Sequence, residues 1–442
     1  MMPRRQRRSR RRRYRLNPRV LPTLLLILAM AGMLIIVVNL LLPDGSTTAT
    51  TQATQATQTP SEQPTTAPDS TLEPSAEPTE IPTPEPTEQN VTQAHIRAFG
   101  DVMVHDDELN SALQDDGTYN FDSFFSLLGE SLSSADYTLG NLETTVGEPG
   151  RDGYSGYPYF HTPKSILTAF KNVGVDMFTT SNNHCLDRYF DGLCETLDSL
   201  DEVGLEHTGT FRSEDEYKDA YIKEINGIKV GIVAYTNGAN NFEYRSDPEG
   251  VKWGLMFIYN ADFEKSAQRL RDAGAEVLIA VPHWGTEYKR QPDDSTVDYA
   301  QQMAEAGFDI IIGGHPHMVQ NIEWIETTQS DGSTHRTLCA YSLGNFVSAQ
   351  RDQYRDTGII LDFTLTKDLS TGDISIDDVG YVPIWVWRYE NDGKNEYRVV
   401  ACGDTLDNIP ENMSSSDQKR LSEAWDETLE VITTEGITAL KK

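Results

Sequence analysis

Residues 310–317, with the sequence IIIGGHPH, constrain the fold of this chain more than any other stretch. The three β-branched isoleucines predict a short buried strand, and Gly313 and Gly314 let the backbone turn where a larger residue would block it. His315 and His317 then follow at the carboxyl end of the strand, which is where open α/β sheets place their ligands. A single histidine after a strand is more often structural, whereas two in one glycine-rich turn indicate a metal site.

The amino-terminal residues 1–42 have the composition of a membrane anchor. Residues 4–19 contain ten arginines and no acid, and residues 20–42 are apolar apart from a threonine, an asparagine and a proline. This length matches the ~20 residues that cross the ~30 Å core of a bilayer. The positive-inside rule places residues 1–19 in the cytoplasm. A cleavable signal peptide is the alternative, but its apolar core usually has ~7–15 residues and ends at a small-residue cleavage site that is missing here.

Residues 43–93 are rich in Thr, Pro, Gln, Ser and Glu and contain no lysine or arginine. Their small apolar surface does not offset the entropy of ordering, so we predict a disordered linker. Beyond it we expect a folded domain at residues 94–410 and a carboxyl-terminal helical extension at residues 411–442. The predicted protein therefore crosses the cell membrane once, with a cytoplasmic amino terminus and an extracellular carboxyl-terminal domain.

The charge of the outer part restricts its partners. The chain has 37 basic and 68 acidic residues, a net charge of −31; without the ten arginines of residues 4–19, 27 basic residues remain against 68 acidic ones, a net charge of −41. This field disfavours nucleic acid and anionic lipid as partners. An enzyme acting on an anionic substrate would need metal cations to offset it.

The four cysteines are Cys185, Cys194, Cys339 and Cys402, and no CxxC motif occurs. A zinc knuckle and a thioredoxin-type site are therefore unsupported. A disulfide between Cys185 and Cys194 and four free thiols both remain open.

The folded part alternates strand and helix patterns before it changes to hairpins. Helical periodicity occurs at residues 121–134, 164–173, 187–203, 261–273, 296–306 and 416–435, and strand patterns at residues 95–101, 136–139, 175–180, 276–281 and 310–312. The pair Asn226-Gly227 lies between two apolar runs and predicts a two-residue hairpin. We expect a loop that overhangs a site at residues 147–163. Further hairpins are predicted at residues 319–382. This order favours two mixed sheets packed together with helices outside. No GxxxxGK or GxGxxG motif supports a phosphate-binding loop.

Five polar clusters follow apolar runs of the predicted sheets. They are Asp101; Asn141 with Glu143; Asn183 with His184; His283 with Glu287; and His315 with His317. One polar residue at a strand end is usually a turn former, but five clusters of oxygen and nitrogen ligands indicate a divalent metal centre. Two ions sharing a carboxylate need about this many ligands and can clamp an in-line displacement at phosphorus. A serine triad is unsupported, because Ser181 and Ser342 lack the nucleophile-elbow context.

At these same positions the sequence resembles the CapA family, which is associated with bacterial capsule and poly-γ-glutamate biosynthesis and is similar to the calcineurin-like metallophosphoesterases. The resemblance spans residues 96–383. It rests on six ordered motifs: FGDVM at 99–103, GNLE at 140–143, NNH at 182–184, HWG at 283–285, GGHPH at 313–317 and SLGNF at 342–346. It implies an α/β (α+β) fold, a four-layer α-β-β-α metallophosphoesterase-like sandwich.

The resemblance also implies roles for individual residues. The metal ligands would be Asp101, Asn141, Asn183, His283, His315 and His317, holding one or two divalent ions such as Mn, Zn or Fe. His184 would protonate a leaving oxygen as the catalytic acid. Asp187 would orient that imidazole, or else cap the helix that it begins.

Two positions depart from the metallophosphoesterase pattern. Met103 stands where a histidine is expected, and His105 is a candidate replacement. Asn141 stands where a bridging aspartate is expected, and Glu143 is a candidate carboxylate because alternate strand residues share a face.

Two further residues are candidates for auxiliary roles at the site, and a third is expected in the core. Glu287 is either a partner that orients His283 or a solvated loop acid. Asn345 is expected in the wall of the site. Trp284 is expected in the core rather than as a substrate platform.

Two functions follow as expectations. The first is a metal-dependent hydrolase of a phosphoester or an envelope polymer. The second is a non-catalytic assembly or anchoring component of a poly-γ-glutamate synthesis and export complex, alongside other capsule synthesis subunits. An anionic envelope polymer such as poly-γ-glutamate and the membrane are the expected partners; nucleic acid is not.

Overall fold

The computed structural model describes residues 90–151, 153–329 and 332–441. The predicted cytoplasmic tail, transmembrane helix and nearly all of the linker lie outside these residues. Within the described ranges, no helix combines the length and apolar character that a bilayer crossing needs.

The strands fall into two large mixed sheets and one small pair. In chain order they are β1 Val91–Val102, β2 Tyr137–Leu142, β3 Thr145–Gly147, β4 His161–Pro163, β5 Met177–Thr179, β6 Glu206–Thr208, β7 Ile222–Ile225, β8 Ile228–Thr236, β9 Val277–His283, β10 Ile310–Ile312, β11 Ile322–Thr328, β12 Thr334–Ala340, β13 Asn345–Val347, β14 Thr357–Asp368, β15 Ile374–Asn391, β16 Lys394–Ala401 and β17 Thr438–Ala439. The first sheet has the order β16-β15-β14-β1-β2-β5-β6, with β13 beside β1 and β17 beside β15. The second has the order β11-β12-β10-β9-β8-β7, and β3 pairs with β4.

Helices connect many of these strands. They are α1 Asp106–Ala112, α2 Ser165–Asn172, α3 Tyr189–Val203, α4 Glu214–Lys218, α5 Pro248–Gly254, α6 Phe263–Asp272, α7 Asp294–Glu305, α8 Cys402–Asp407 and α9 Ser415–Val431, with single 3-10 turns at Asp122–Phe125, Phe242–Tyr244 and Ile258–Asn260. Aspartates begin two of the long helices, since the side chains of Asp262 and Asp293 accept hydrogen bonds from the backbone of the first turn.

The apolar clusters show how the layers pack. One cluster lies between the sheets and joins Ile96 and Leu361 of the first to Ile279 and Ile310 of the second. A second cluster packs α2 and α3 on the outer face of the first sheet, and a third packs α6 and α7 on the outer face of the second. The mixed α/β prediction is therefore confirmed.

The predicted helix at residues 121–134 is wrong. The structure has only the 3-10 turn Asp122–Phe125, followed by hydrogen-bonded turns. Gly129 has φ +56°, which ends any right-handed helix there. The buried guanidinium of Arg97 then donates to the Glu130 carbonyl and to Ser134 Oγ at 2.9 and 2.7 Å, which holds the segment as a turn.

The hairpin prediction at Asn226-Gly227 is confirmed, because these residues have φ +49° and +83° and join the antiparallel strands β7 and β8. The final segment is integrated into the fold. Leu421 and Ala424 of α9 pack on Trp385 and Trp387, and β17 runs parallel to β15.

Candidate metal centre

The five predicted polar clusters meet at one edge of the two sheets. Strands β1, β2 and β5 are mutually parallel in the first sheet, and β8, β9 and β10 are mutually parallel in the second. Their carboxyl ends therefore lie together. Asp101 is the register partner of Asn141, and His283 forms a bridge with Gly314 from the turn after β10.

Backbone geometry explains the glycine pair before the two histidines. A Cβ on Gly313 would lie 2.1 Å from the Tyr341 carbonyl oxygen, and a Cβ on Gly314 would lie 2.7 Å from Asp101 Oδ1. His315 and His317 themselves have φ +99° and +56°, in a region that side chains rarely adopt. Such backbone strain persists where the surrounding structure fixes it, as it does in many functional sites.

His283 stands at the centre of the cluster. Its Nε2 lies 2.7 Å from Asn183 Oδ1, 3.1 Å from His315 Nδ1 and 3.3 Å from Glu143 Oε1. One ring nitrogen can donate at most one proton, so it cannot satisfy all three of these neighbours. Several ligand atoms that converge in this way are arranged as a cation would require.

The protonation states of His283 and His315 suit this arrangement. Burial and the neighbouring imidazoles of His283 and His317 lower the pKa of His315 to about 3. Burial also lowers the pKa of His283 to about 3, in spite of the nearby Asp101 carboxylate. Both rings are therefore neutral at pH 7, which is the form that binds a metal ion.

His317 and Asp101 form a buried pair. His317 Nδ1 lies 3.2 Å from Asp101 Oδ2 and 3.1 Å from Asn345 Oδ1. Although burial acts to lower it, the carboxylates of Glu143 and Asp101 raise the pKa of His317 to about 9. Burial acts to raise the pKa of Asp101, but the His317 and His283 imidazoles lower it to about 2.

Glu143 provides the test of whether a cation fits. Its side chain is fully buried, and within the described residues neither carboxylate oxygen has a hydrogen-bond partner. Burial and the Asp101 carboxylate raise its pKa to about 8. A buried carboxylate without partners is costly unless a cation compensates it. The donor set therefore fits a metal ion.

Three groups of side chains bring ligand atoms within 4.8 Å of one another. They are Glu143, His283 and His315; Asp101, Glu143 and His317; and Glu287, His315 and His317. Glu143 belongs to two of these groups. The first two groups are buried and consist of nitrogen and oxygen donors, so they are compatible with divalent metal ions.

His184 and Asp187 form a separate pair beside the cluster. His184 Nδ1 lies 2.7 Å from Asp187 Oδ2, which also accepts the Phe160 backbone N–H at 2.7 Å. Burial alone would lower the pKa of His184, but the hydrogen bond and charge of Asp187 raise it. The Phe160 ring meets the imidazole edge-on at 4.7 Å and covers one side of it.

Asn141 lies in the centre, but its amide is turned away from the orientation of a ligand. Its Nδ2 donates to Asp101 Oδ1 at 2.7 Å, and its Oδ1 accepts from Asn182 Nδ2 at 3.2 Å. In this orientation Asn141 positions the aspartate. Asn182 was not predicted as a site residue, although its Oδ1 also accepts the His184 backbone N–H.

The auxiliary candidates divide between the site and its surroundings. His105 caps α1 and its Nδ1 accepts the Ala349 backbone N–H at 3.3 Å, so this nitrogen is already engaged. Glu287 brings a carboxylate oxygen close to ligand atoms of His315 and His317, and it approaches the cluster from the loop after β9. Asn345 contacts His317 directly.

The prediction that Trp284 lies in the core is confirmed. Trp284 is 1% exposed, and its indole N–H donates to the Tyr341 carbonyl at 2.9 Å. Met103 is also buried, outside the groups of potential ligands found among the described residues.

All four cysteines are free; Cys194 is half-buried and the others are buried.

Phe160, Tyr288 and Arg355 adjoin the site and were not predicted from the sequence. The Tyr288 ring lies 6.0 Å from that of His317, and the Arg355 guanidinium lies over Tyr288 at 3.5 Å. The predicted overhanging loop at residues 147–163 was the one signal that pointed to Phe160.

The fold and the site together define a mixed α/β protein with a buried, metal-compatible cluster at the strand ends. Residues 95–350 match the model of the family described as bacterial capsule synthesis protein PGA_cap. The match covers more than half of the chain, so the protein belongs to this family.

Curated relatives support the same assignment and confirm the resemblance to CapA. The chain is 26% identical over 243 residues to the PGA biosynthesis protein CapA of Bacillus subtilis, covering 54% of this chain and 60% of that protein. It is 25% identical over 237 residues to the capsule biosynthesis protein CapA of Bacillus anthracis, covering 52% and 55%. The alignments thus span less than two thirds of either relative.

Among solved structures, the chain is similar to the calcineurin-like phosphoesterase YfkN of Bacillus subtilis at 15% identity. The alignment covers 77% of this chain and 98% of that one, with a TM-score of 0.37.

Proposed function

We propose that this protein is a membrane-tethered, metal-dependent hydrolase that acts on a phosphoester or an envelope polymer during capsule or poly-γ-glutamate biosynthesis. The observation that carries this proposal is the unpartnered carboxylate of Glu143, buried between His283 and His317. In a core with only a structural role, a buried carboxylate without a partner would destabilise the fold.

The residues that would hold the metal are Asp101, Glu143, Asn183, His283, His315 and His317. When bound, a divalent ion supplies Lewis-acid polarisation and a water of lowered pKa. Met103 and the orientation of Asn141 reduce the set of expected ligands, whereas Glu143 adds a carboxylate. This chain's own ligands therefore favour a centre organised around Glu143.

His184 would supply the proton for the leaving oxygen. Asp187 accepts from Nδ1, so Nε2 is the remaining ring nitrogen that can donate. The raised pKa keeps the imidazolium form populated closer to neutral pH. Phe160 excludes water from one side of the ring.

The composition of residues 1–93 supports the proposed membrane anchor. The arginine-rich tail, the apolar run at residues 20–42 and the linker without basic residues support an anchored domain outside the cell. Protease added to intact cells should release the folded domain by cutting the linker.

A non-catalytic assembly component of a polymer export complex is the second candidate. It is favoured by the departures at Met103 and Asn141 and by the names of the relatives, a PGA biosynthesis and a capsule biosynthesis protein. In this case the metal would stabilise the fold and the sheet edge would bind a partner.

Hydrolysis of glycerophosphocholine, whose alkoxide leaving group needs a proton, by the purified full-length protein separates the two candidates. We expect metal-dependent turnover that falls by about 10²-fold or more in His184→Asn, because the proton donor is lost. Metal content should be unchanged. His207→Asn is a matched control, since His207 lies on β6 and contacts Asp201 instead of the cluster. Wild-type protein that holds metal but hydrolyses neither phosphoesters nor γ-glutamyl polymer would favour the assembly role.

A further inference from the structure

The exposed large hydrophobic side chains include a group of tyrosines, one of which lies beside the metal centre. Eleven large hydrophobic side chains are exposed in the described part of the chain, and six of them are tyrosines. Single exposed apolar residues are normal, but a connected group marks a binding surface. We call these six residues the tyrosine track: Tyr157, Tyr159, Tyr189, Tyr244, Tyr259 and Tyr288.

The track begins beside the metal centre. Tyr288 lies 6.0 Å from the His317 ring, and Tyr157 lies 6.4 Å from Phe160, the residue that covers His184. Both tyrosines therefore adjoin the metal centre, Tyr288 through His317 and Tyr157 through Phe160.

The middle of the track is built on Phe242. This ring is buried, and it meets Tyr159 at 5.3 Å and Tyr189 at 5.4 Å, both edge-on. These three residues come from three separate segments of the chain. Their packing fixes the two exposed rings without covering them.

The far end of the track reaches a second cavity. Tyr259 stacks on Phe257 at 5.4 Å, and Tyr244 belongs to the same 3-10 turn as Phe242 and Glu243. Phe257 and Tyr259 line a cavity of about 750 Å³ that also contains Glu243 and Lys252. The track thus connects the metal centre with this cavity.

The chemistry of the track fits a neutral sugar polymer. A pyranose ring has a face of C–H groups that stacks on an aromatic ring, and hydroxyl groups at its edge that need acceptors. Glu243 Oε2 is such an acceptor, because it is buried without a hydrogen-bond partner within the described residues. The Arg355 guanidinium is already paired with Asp352 at 2.8 Å, and the chain as a whole carries a net charge of −31, which disfavours a polyanion.

We propose that the tyrosine track binds a neutral glycan chain and leads it to the metal centre. This proposal rests on the proposed function, because it names the substrate class of the same hydrolase site. Binding itself uses the aromatic faces and does not require the metal.

Isothermal titration calorimetry of the full-length protein in EDTA tests whether the tyrosine track binds a glycan. The probes are the β-1,4-linked hexasaccharides of N-acetylglucosamine and of glucose, with poly-γ-glutamate for comparison. We expect saturable binding of at least one hexasaccharide. Tyr159→Ala and Tyr244→Ala should each weaken it about 10-fold, because an aromatic face is lost. The corresponding Phe variants keep the ring and should remain within about 3-fold of the wild type.

Leu369→Ala is the matched control, because Leu369 is exposed but lies outside the track, and its binding should equal that of the wild type. Three results would each overturn the proposal: no hexasaccharide binding up to about 10 mM, preferential binding of poly-γ-glutamate, or unchanged binding in both alanine variants. Metal content and phosphodiester hydrolysis are measured separately, so failure of the track is distinguishable from failure of the hydrolase proposal.

Discussion

The substitution Glu143→Gln should stabilise the metal-free protein while it weakens metal binding. An acid whose pKa is higher in the folded than in the unfolded state destabilises the fold as pH rises between the two values. Burial raises the pKa of Glu143 from 4.5 to about 8. At pH 7 the folded protein keeps a proton on Glu143 that the unfolded chain has lost, and this costs about 3 kcal/mol, at ~1.4 kcal/mol for each pH unit between 4.5 and 7.

Glutamine removes this cost but buries an amide in the same place. An unsatisfied buried amide costs ~1 kcal/mol or somewhat more, so a net gain of about 2 kcal/mol remains at pH 7. With metal bound, the wild type should be more stable than the variant. A metal ion at a concentration of ~1,000 times its dissociation constant stabilises the folded wild type by ~4 kcal/mol. The variant has lost one ligand and gains less.

Urea unfolding in EDTA and in saturating Mn²⁺ or Zn²⁺ measures both effects. The wild type in EDTA should lose stability as pH rises from about 4.5 to 8, and Glu143→Gln should not show this loss. A variant less stable than the wild type in EDTA, with an unchanged response to metal, would refute the reasoning. It would mean that Glu143 is a satisfied structural residue.

Three further substitutions test other parts of the account. Asp187→Asn should move the alkaline limb of the pH–rate profile to lower pH, because Asp187 raises the pKa of His184; an unmoved limb would remove Asp187 as the positioning residue. Arg420→Ala should cost about 2 kcal/mol in urea unfolding, since Arg420 donates to Asp356 at 2.7 and 3.1 Å; a neutral result would contradict this. Gly140→Ala places a Cβ 2.1 Å from the Phe99 ring and should cost about 1–3 kcal/mol, whereas Gly238→Ala meets nothing within 4 Å and serves as its control.

Local sequence signals were sufficient for the strands that position the site. The isoleucines of β10, the apolar run of β9 and the Asn226-Gly227 hairpin are each decided within a few residues. Because parallel strands share one carboxyl edge, the sequence also predicted that His283, His315 and Asp101 would meet. The structure brings them together, and their role as ligands stays a prediction.

Features that depend on distant contacts could not be predicted in this way. Residues 121–134 have helical periodicity, but Arg97 of β1 fixes the carbonyl of Glu130 in a turn. The orientation of the Asn141 amide is decided by Asp101 and Asn182, which lie on other segments. The tyrosine track likewise joins loops that are far apart in the chain.

Elemental analysis of the purified full-length protein tests most directly whether side chains from distant segments form one metal centre. We predict one or two divalent ions per chain in the wild type, a reduced content in His315→Ala, and an unchanged content in His207→Asn. A wild-type protein without metal, or a His315→Ala variant with the wild-type content, would contradict the proposed centre.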